Sequence, residues 1–177
     1  FNIMAENTAA LVGRHKKVAF LGIVETSTEK FHRMRKFTAF SKSSNPKEYS
    51  RQYVDEAFEQ TDVVGFSPSI SYTFDLYTNT PVHKEIVSIT DGELLGSEAV
   101  RNVVIVDLSQ PAGETAGQFV AWKKPYSVIP DTEGDSTDAY TYSGTLRTAG
   151  ESVKGYATSD DNWETLTFTE GEPSPAG

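Results

Sequence analysis

Hydrophobic and polar positions alternate most regularly between Ile70 and Leu76. Ile70, Leu76 and the aromatic residues between them point one way. Three polar side chains point the other way: Ser71, Thr73 and Asp75. A period of two is typical of a strand with one buried and one solvated face. We therefore predict a strand over roughly 63–77.

Apolar or alternating runs predict further strands along the chain. They cover residues 17–24, 31–40, 99–108, 119–129, 139–147, 152–157 and 163–169. Pro125 is expected to break the strand in which it lies, since proline lacks a ladder donor. The runs at 139–147 and 152–157 are predicted to pair as a hairpin around Ala149 and Gly150.

One segment has helical rather than strand periodicity. Thr80 stands where a helix is capped, Pro81 suits the first helical position, and Gly92 stands where the helix is expected to end. The apolar stripe consists of Val82, Ile86 and Ile89. One helix in a strand-rich chain predicts a mainly β domain, a sandwich or barrel with this helix on its flank.

The long segment 41–62 separates two predicted strands and shows no sustained period of its own. Long connections inside a compact domain are usually functional or disordered. Aromatic residues here stand among charges of both signs, as at protein–protein interfaces. Base stacking on nucleic acid is the alternative, but the many acids would repel phosphate. The predicted interface residues are Lys47, Glu48, Tyr49, Arg51, Tyr53, Asp55, Glu56 and Phe58.

Length and composition favour one folded domain over residues 1–177. Hydrophobic residues make up 37% of the 177 positions, which is enough for a core. Residues 1–16 are predicted to be an arm, and residues 170–177, rich in proline and glycine, a tail. No apolar run approaches the roughly 20 residues of a membrane span. No secretion signal is recognisable at the N-terminus.

Charge divides the chain into two unequal parts. Residues 1–51 contain ten Lys/Arg against four Asp/Glu, whereas the remainder contains six against twenty-one, for a net charge of −9. Such a total disfavours a general nucleic-acid binder. If the two parts lie at opposite ends of the fold, copies of the chain attract one another head to tail. If folding mixes them on one surface, they do not.

The sequence gives little evidence for catalysis or metal binding. The absence of cysteine excludes disulfides, thiol catalysis and zinc–thiolate sites. The three histidines lack paired ligand spacing, and His83 is expected to be an ordinary first-turn helix residue. The acidic stretch 131–138 resembles a calcium loop, but Ser136 replaces the turn glycine and Tyr142 the bidentate acid. We expect no cofactor, no metal and no enzymatic activity.

Four stretches, in order, resemble the major tail proteins (tail tube proteins) of long-tailed bacteriophages, especially those infecting Gram-positive bacteria. They are NPKEYSRQYVDEAFEQTDVVGFSPSISYTFD, TPVHKEIVSITDG, VRNVVIVDL and YSGTLRTAGESVKGYATSDDNWETLTFTEG. The likeness covers roughly residues 14–170. Its most specific pieces are QYVDE at 52–56 and the SGTLRTAGESVKG stretch.

The resemblance implies a β-sandwich-like or barrel-like subunit with a flanking helix. Such subunits form hexameric rings whose inward strands join into one barrel, and stacked rings conduct DNA. The segment 41–62 would stack the rings, the helix 81–91 would lie outside the barrel, and the strands near 31–40 and 66–77 would line the lumen. The lumen candidates so implied are Arg33, Arg35, Ser71, Thr73 and Asp75.

The same resemblance implies the partners and the place of the protein. These are other copies of the chain, the tape-measure protein, and tail-tip and terminator proteins, with DNA passing without specific binding. The protein would be assembled in the host cytoplasm, would not insert into a membrane, and would reside in the virion tail. Two other functions are weighed against this one. A carbohydrate-binding β-sandwich would use Trp122, Tyr126 and Trp163 as a platform, and a hydrolase would need a catalytic constellation that the sequence lacks.

Overall fold

The computed structural model describes residues 9–174, and antiparallel strands dominate it. The mainly β fold with one flanking helix is confirmed. The predicted arm and tail fall partly on residues 1–8 and 175–177, which lie outside the described residues. The elements are β1 (Lys17–Glu25), β2 (Thr28–Arg33), β3 (Phe37–Ser43), β4 (Pro46–Arg51), β5 (Gln60–Phe66), β6 (Ser69–Asp75), α1 (Pro81–Asp91), β7 (Val100–Pro111), β8 (Phe119–Glu133), β9 (Thr141–Thr148), β10 (Val153–Thr158) and β11 (Thr165–Glu170).

Six strands close into a small barrel in the order β8, β7, β1, β2, β11, β10, and β10 pairs back onto the first part of β8. Because side chains alternate along each strand, one set fills the interior. Trp163 closes this core through edge contacts with Phe20 and Phe119, at ring-centroid distances of 6.4 and 5.6 Å. The buried interior consists of Val18, Phe20, Phe31, Val104, Val106, Ala121, Ala157 and Leu166.

β8 is long enough to serve a second sheet. Its first part pairs with β10, and its second part pairs with β9, which continues to β6 and β3. Pro125 lies between these two partners, because along β8 the pairing with β10 ends at Lys123 and the pairing with β9 begins at Tyr126. A missing donor is tolerated at such a gap. The predicted break at Pro125 is therefore wrong, and β8 continues through it.

The second core lies between this sheet, the outer wall of the barrel and α1. Val82, Ile86 and Ile89 of the helix are buried in it, as the apolar stripe predicted. Pro81 occupies the first helical turn, and the chain leaves the helix at Gly92. Within residues 9–174, no helix is long and apolar enough to cross a membrane.

The predicted strand 31–40 is two strands. β2 ends at Arg33 and β3 begins at Phe37. Lys36 between them has a φ of 63°, a left-handed conformation that no strand continues through. Neither glycine nor proline signals this reversal in the sequence.

The predicted hairpin around Ala149 and Gly150 is also wrong. β9 pairs with β8 and β6, whereas β10 pairs with β8 and β11. The two strands belong to different cores, since Leu146 of β9 is buried under α1 and Ala157 of β10 is buried in the barrel. Short sequence separation suggested a pairing that the two hydrophobic cores exclude.

Candidate assembly surfaces

β4 and β5 form a two-stranded hairpin that pairs with neither the barrel nor the sheet β8–β9–β6–β3. The sequence showed no strand period over 41–62, yet the ladder runs from Pro46 opposite Phe66 to Arg51 opposite Gln60. The strand predicted over 63–77 is two strands, since β5 ends at Phe66 and β6 begins at Ser69. Asn45 anchors the base, because its side-chain amide donates to the Ser67 carbonyl at 3.1 Å and to the Ser69 hydroxyl at 3.0 Å. Residues 52–59 form the tip.

The hairpin presents large apolar side chains to solvent. Phe58 at the tip is 83% exposed, and Phe66 near the base is 64% exposed. An isolated two-stranded hairpin is marginally stable in water, and clustered exposed apolar groups mark interaction surfaces. The other exposed apolar residues of the hairpin are Tyr49, Tyr53, Val54, Val63 and Val64.

Arg51 organises one face of the hairpin. Its guanidinium lies 5.3 Å from the Tyr49 ring centroid and 5.7 Å from that of Tyr53. It donates to the Tyr53 hydroxyl at 2.9 Å and pairs with Asp62 at 2.6 Å. These two hydrogen bonds raise the pKa of Arg51. The cluster stiffens a surface that has no hydrophobic core behind it.

The structure brings some of the predicted interface residues together and separates others. Tyr49, Arg51 and Tyr53 form the cluster just described. Glu48 lies opposite Val63 on the other face, and Lys47 lies near the base opposite Gly65. The tip carries Asp55, Glu56 and Phe58, all exposed.

A second surface is the outer face of the sheet β8–β9–β6–β3. The register places Ser71 between Ser41 and Thr145, and Thr73 between Ala39 and Ser143. The predicted residues Ser71, Thr73 and Asp75 therefore share one face, as the period of two required. Hydroxyl side chains dominate this face, which is called the hydroxyl face below. They are Ser41, Ser43, Ser69, Ser71, Thr73, Ser127, Thr141, Ser143 and Thr145.

The structure places Arg33 and Arg35 away from the hydroxyl face. Arg33 ends β2 and lines a cavity between β1 and β3. Burial lowers the pKa of Arg33, and the charge of Arg35 nearby lowers it further. Arg35 lies in the β2–β3 connection and forms an ion pair with Glu164. The five lumen candidates therefore divide into two groups in the monomer, because the strand predicted to carry both arginines ends before Arg35.

The sheet that carries the hydroxyl face has two open edges. Within residues 9–174, β3 pairs with β6 alone. On the opposite edge, the ladder between β7 and β8 ends where Val100 meets Ser127, so Val128–Glu133 pair with β9 only. Open edges are templates for pairing with another chain.

His83 ties the β2–β3 connection to the helix. It is fully buried, and its ring stacks on Phe74 with a centroid distance of 4.3 Å. Nδ1 accepts from the Tyr77 backbone N–H at 3.1 Å, and Nε2 donates to the Arg35 carbonyl at 2.8 Å. Burial lowers the pKa of His83. Its first-turn position agrees with the sequence, but its role in holding this connection had no sequence signal.

The three residues weighed for carbohydrate binding do not form an exposed platform. Trp122 is 47% exposed, whereas Tyr126 is buried. Trp163 packs against Phe20 in the barrel core. A stacking platform needs exposed aromatic faces on one surface, which this arrangement does not provide.

Neither the family models nor the curated proteins give a match. A chain from the tail of an empty gene transfer agent particle, refined with C6 symmetry, is similar to this one with a TM-score of 0.57 and 12% identity. The similarity covers 89% of this chain and 98% of that one.

Two further solved structures show the same likeness. A chain of the native gene transfer agent virion has a TM-score of 0.54, with 12% identity over 89% of this chain and 98% of that one. A chain from the sheath/tube terminator of an extracellular contractile injection system has a TM-score of 0.51, with 13% identity over 83% and 98%. The fold is a tail-tube fold. At these identities the likeness concerns the fold alone.

Sequence reasoning missed the strands of the hairpin, the open sheet edges and the contribution of β9 to the hydroxyl face. The last of these had a usable signal. In β9, Thr141, Ser143 and Thr145 alternate with the buried Tyr142 and Leu146 in the same pattern as β6. No sequence signal marks the open edges, since these depend on which strands pair.

Proposed function

We propose that this chain is the tail tube protein of a long-tailed phage and assembles into stacked hexameric rings. One observation carries the proposal: a four-stranded sheet with a hydroxyl face and two open edges. The tail-tube fold, which the chain shares with solved tail structures, supports the same reading. The role is structural rather than enzymatic.

The strand directions suit a closed ring of sheets. β8, β9, β6 and β3 are antiparallel in succession, so β3 and β8 run in opposite directions. When rotation brings β3 of one copy beside β8 of the next, the new pair is antiparallel as well. An even number of alternating strands per copy therefore continues without interruption around the ring. Full closure removes the exposed edges, which otherwise favour aggregation.

The hydroxyl face suits the wall of a DNA conduit. Affinity for duplex DNA comes mainly from lysine and arginine contacts with phosphates. Among the described residues of this face, Arg147 and Asp75 supply opposite charges, and serine and threonine supply most of the rest. A hydroxyl wall stays hydrated and offers few cations to the duplex. DNA therefore passes without specific binding.

The β4–β5 hairpin is proposed to stack one ring on the next. Among residues 9–174, Tyr49 and Phe58 of the hairpin belong to neither hydrophobic core, and burial against a neighbouring ring supplies an apolar partner. Stacked rings of this kind end at tip and terminator proteins and enclose a tape-measure protein. The sequence resemblance points to a host among Gram-positive bacteria, with assembly in its cytoplasm and a final location in the virion tail.

Negative-stain electron microscopy of the purified protein over a concentration series tests the proposal. We expect rings or tubes of uniform bore above a threshold concentration. Featureless monomers at every concentration, with no rings, would contradict self-assembly.

A further inference from the structure

We infer that neighbouring copies meet through a charge-directed lateral contact between a basic edge and an acidic edge of the hydroxyl-faced sheet. The basic edge consists of Lys42 on the open strand β3 and three cations beside it, Arg14, Lys17 and Lys124. The acidic edge is Asp91, Asp131 and Glu133. This inference rests on the proposed function and names the residues that select the neighbour.

The basic edge is a real cluster rather than a scatter of surface cations. Lys17 and Lys42 line one groove beside β3, and Lys42 and Lys124 line the adjoining cavity. Burial and the charges of Lys124 and Lys17 lower the pKa of Lys42, as expected for converging ammonium groups. Arg14 donates to the Phe40 carbonyl of β3 at 3.0 Å, which adds a fourth cation to this edge.

The acidic edge lies where the second part of β8 has no neighbour on one side. Asp131 and Glu133 belong to this stretch, which pairs with β9 on one side and is open on the other. The Tyr140 hydroxyl donates to Glu133 at 3.1 Å. Burial, followed by the charges of Asp91 and Glu133, raises the pKa of Tyr142 to about 12, so both acids lie near one phenol. Asp91 and Glu133 therefore lie near each other beside Tyr142, and Asp131 lies two residues before Glu133 on β8.

The two edges cannot neutralise each other within one molecule. Lys124 and Asp131 are seven residues apart on the same strand, or about 23 Å at 3.3 Å per residue. That exceeds the Debye length of about 10 Å at 0.1 M salt. Within residues 9–174, none of the lysines or acids of the two edges forms a salt bridge.

A second copy of the chain is the occupant that fits both edges at once. Ring closure places β3 of one copy beside β8 of the next, which brings opposite charges together at each contact. Contact through two basic or two acidic edges is disfavoured, so the charges also impose the head-to-tail order. The contact between the basic and acidic edges therefore both attracts a neighbouring copy and selects its orientation.

The test uses two charge-reversed variants, separately and mixed. Variant one carries Lys42→Glu and Lys124→Glu, and variant two carries Asp131→Lys and Glu133→Lys. Variant one alone leaves the basic edge without net charge opposite the acidic edge, and variant two alone sets like charges against each other. We therefore expect at least a tenfold loss of association in sedimentation velocity at low salt. If the variants alternate in an equimolar mixture, the substituted positions of both edges meet at every second contact and carry opposite charges there, and the unmodified edges meet at the contacts between. We expect the mixture to recover assembly.

Matched controls change the same charges elsewhere. Lys30→Glu with Lys84→Glu, and Glu114→Lys with Asp160→Lys, alter exposed residues off both edges and should leave assembly unchanged. Circular dichroism melts check folding, and we expect all variants to fold, because within residues 9–174 the edge lysines and acids make no salt bridge.

The outcomes separate this inference from the proposed function. Rings from the unmodified chain, together with unimpaired assembly of both edge variants, would overturn the charge-directed contact and leave the tube proposal standing. Failure of the mixture to recover, with both variants folded, would overturn it as well. An unmodified chain and a mixture that both remain monomeric would overturn the two proposals together.

Discussion

Truncating Phe58 should weaken assembly strongly and leave the monomer's stability almost unchanged. The side chain is 83% exposed at the hairpin tip, so its loss in the isolated chain should lie within about 0.5 kcal/mol, as for ordinary surface substitutions. If stacking buries the ring fully, each contact gains about 1.5–3 kcal/mol from it. Since about 1.4 kcal/mol is tenfold in an equilibrium constant, Phe58→Ala should raise the critical concentration roughly ten- to hundredfold.

The assay is the concentration of protein that remains unsedimented after assembly, measured for the unmodified chain and for Phe58→Ala. Val24→Ala is the matched control, because Val24 is also an exposed apolar residue but lies at the end of β1, away from the hairpin. Thermal melts of all three report on the monomer. An unchanged critical concentration would refute the stacking role of Phe58. A melting temperature that falls with the substitution would show that the tip packs on the body of the monomer instead.

Three further predictions follow from buried groups. His83 has a pKa lowered from its ordinary 6.5, so the unfolded chain takes up a proton that the folded chain does not. The contribution of His83 to the free energy of unfolding should therefore be fully present above pH 6.5 and should fall as the pH drops below that value. Urea midpoints between pH 8 and 5 should show a smaller fall for His83→Gln; equal falls would contradict this reading. Gly144→Ala should destabilise by about 1–3 kcal/mol in urea unfolding, because the added Cβ would lie 2.5 Å from both the Ile129 carbonyl oxygen and the Tyr72 hydroxyl; a neutral result would mean that β9 shifts freely. Trp163→Ala should lower stability by roughly 2–4 kcal/mol through the barrel core, whereas an unaffected chemical-denaturation curve would remove Trp163 from that core.

Strands and the helix were predictable wherever one face of the element is buried. The alternation around Tyr72 and Phe74 exists because those rings fill the core under α1. The helix stripe exists for the same reason. An element with one buried face has apolar residues at a regular spacing, and that spacing predicts the element from the sequence.

The hairpin could not be predicted in this way. Its strands bury nothing in the monomer, and they are joined by cross-strand polar pairs such as Ser50 with Thr61, whose hydroxyls lie 2.8 Å apart. An element that buries no face within residues 9–174 carries no period for the chain's own core. Its aromatic residues could still be predicted to form an interface, because Tyr49 and Phe58 stand among charges of both signs, and that role stays a prediction.

The pairing of strands was the least predictable part of the candidate surfaces. The family resemblance placed Arg33 and Arg35 with Ser71 in the lumen wall, and the sequence pattern predicted one strand over 31–40 where the structure has β2 and β3. The left-handed Lys36 separates them, and a lysine gives no warning of a positive φ. Pairing choices made by distant strands also decide which edges stay open, as at β8 beyond Ser127.

The most direct test of the account is a cryo-electron microscopy reconstruction of the assembled protein. We predict a tube whose bore is lined by the hydroxyl face, with Ser71 and Thr73 toward the axis and β3 of each copy beside β8 of the next. A reconstruction in which this face points outward, or in which β3 and β8 of neighbouring copies are apart, would contradict the account.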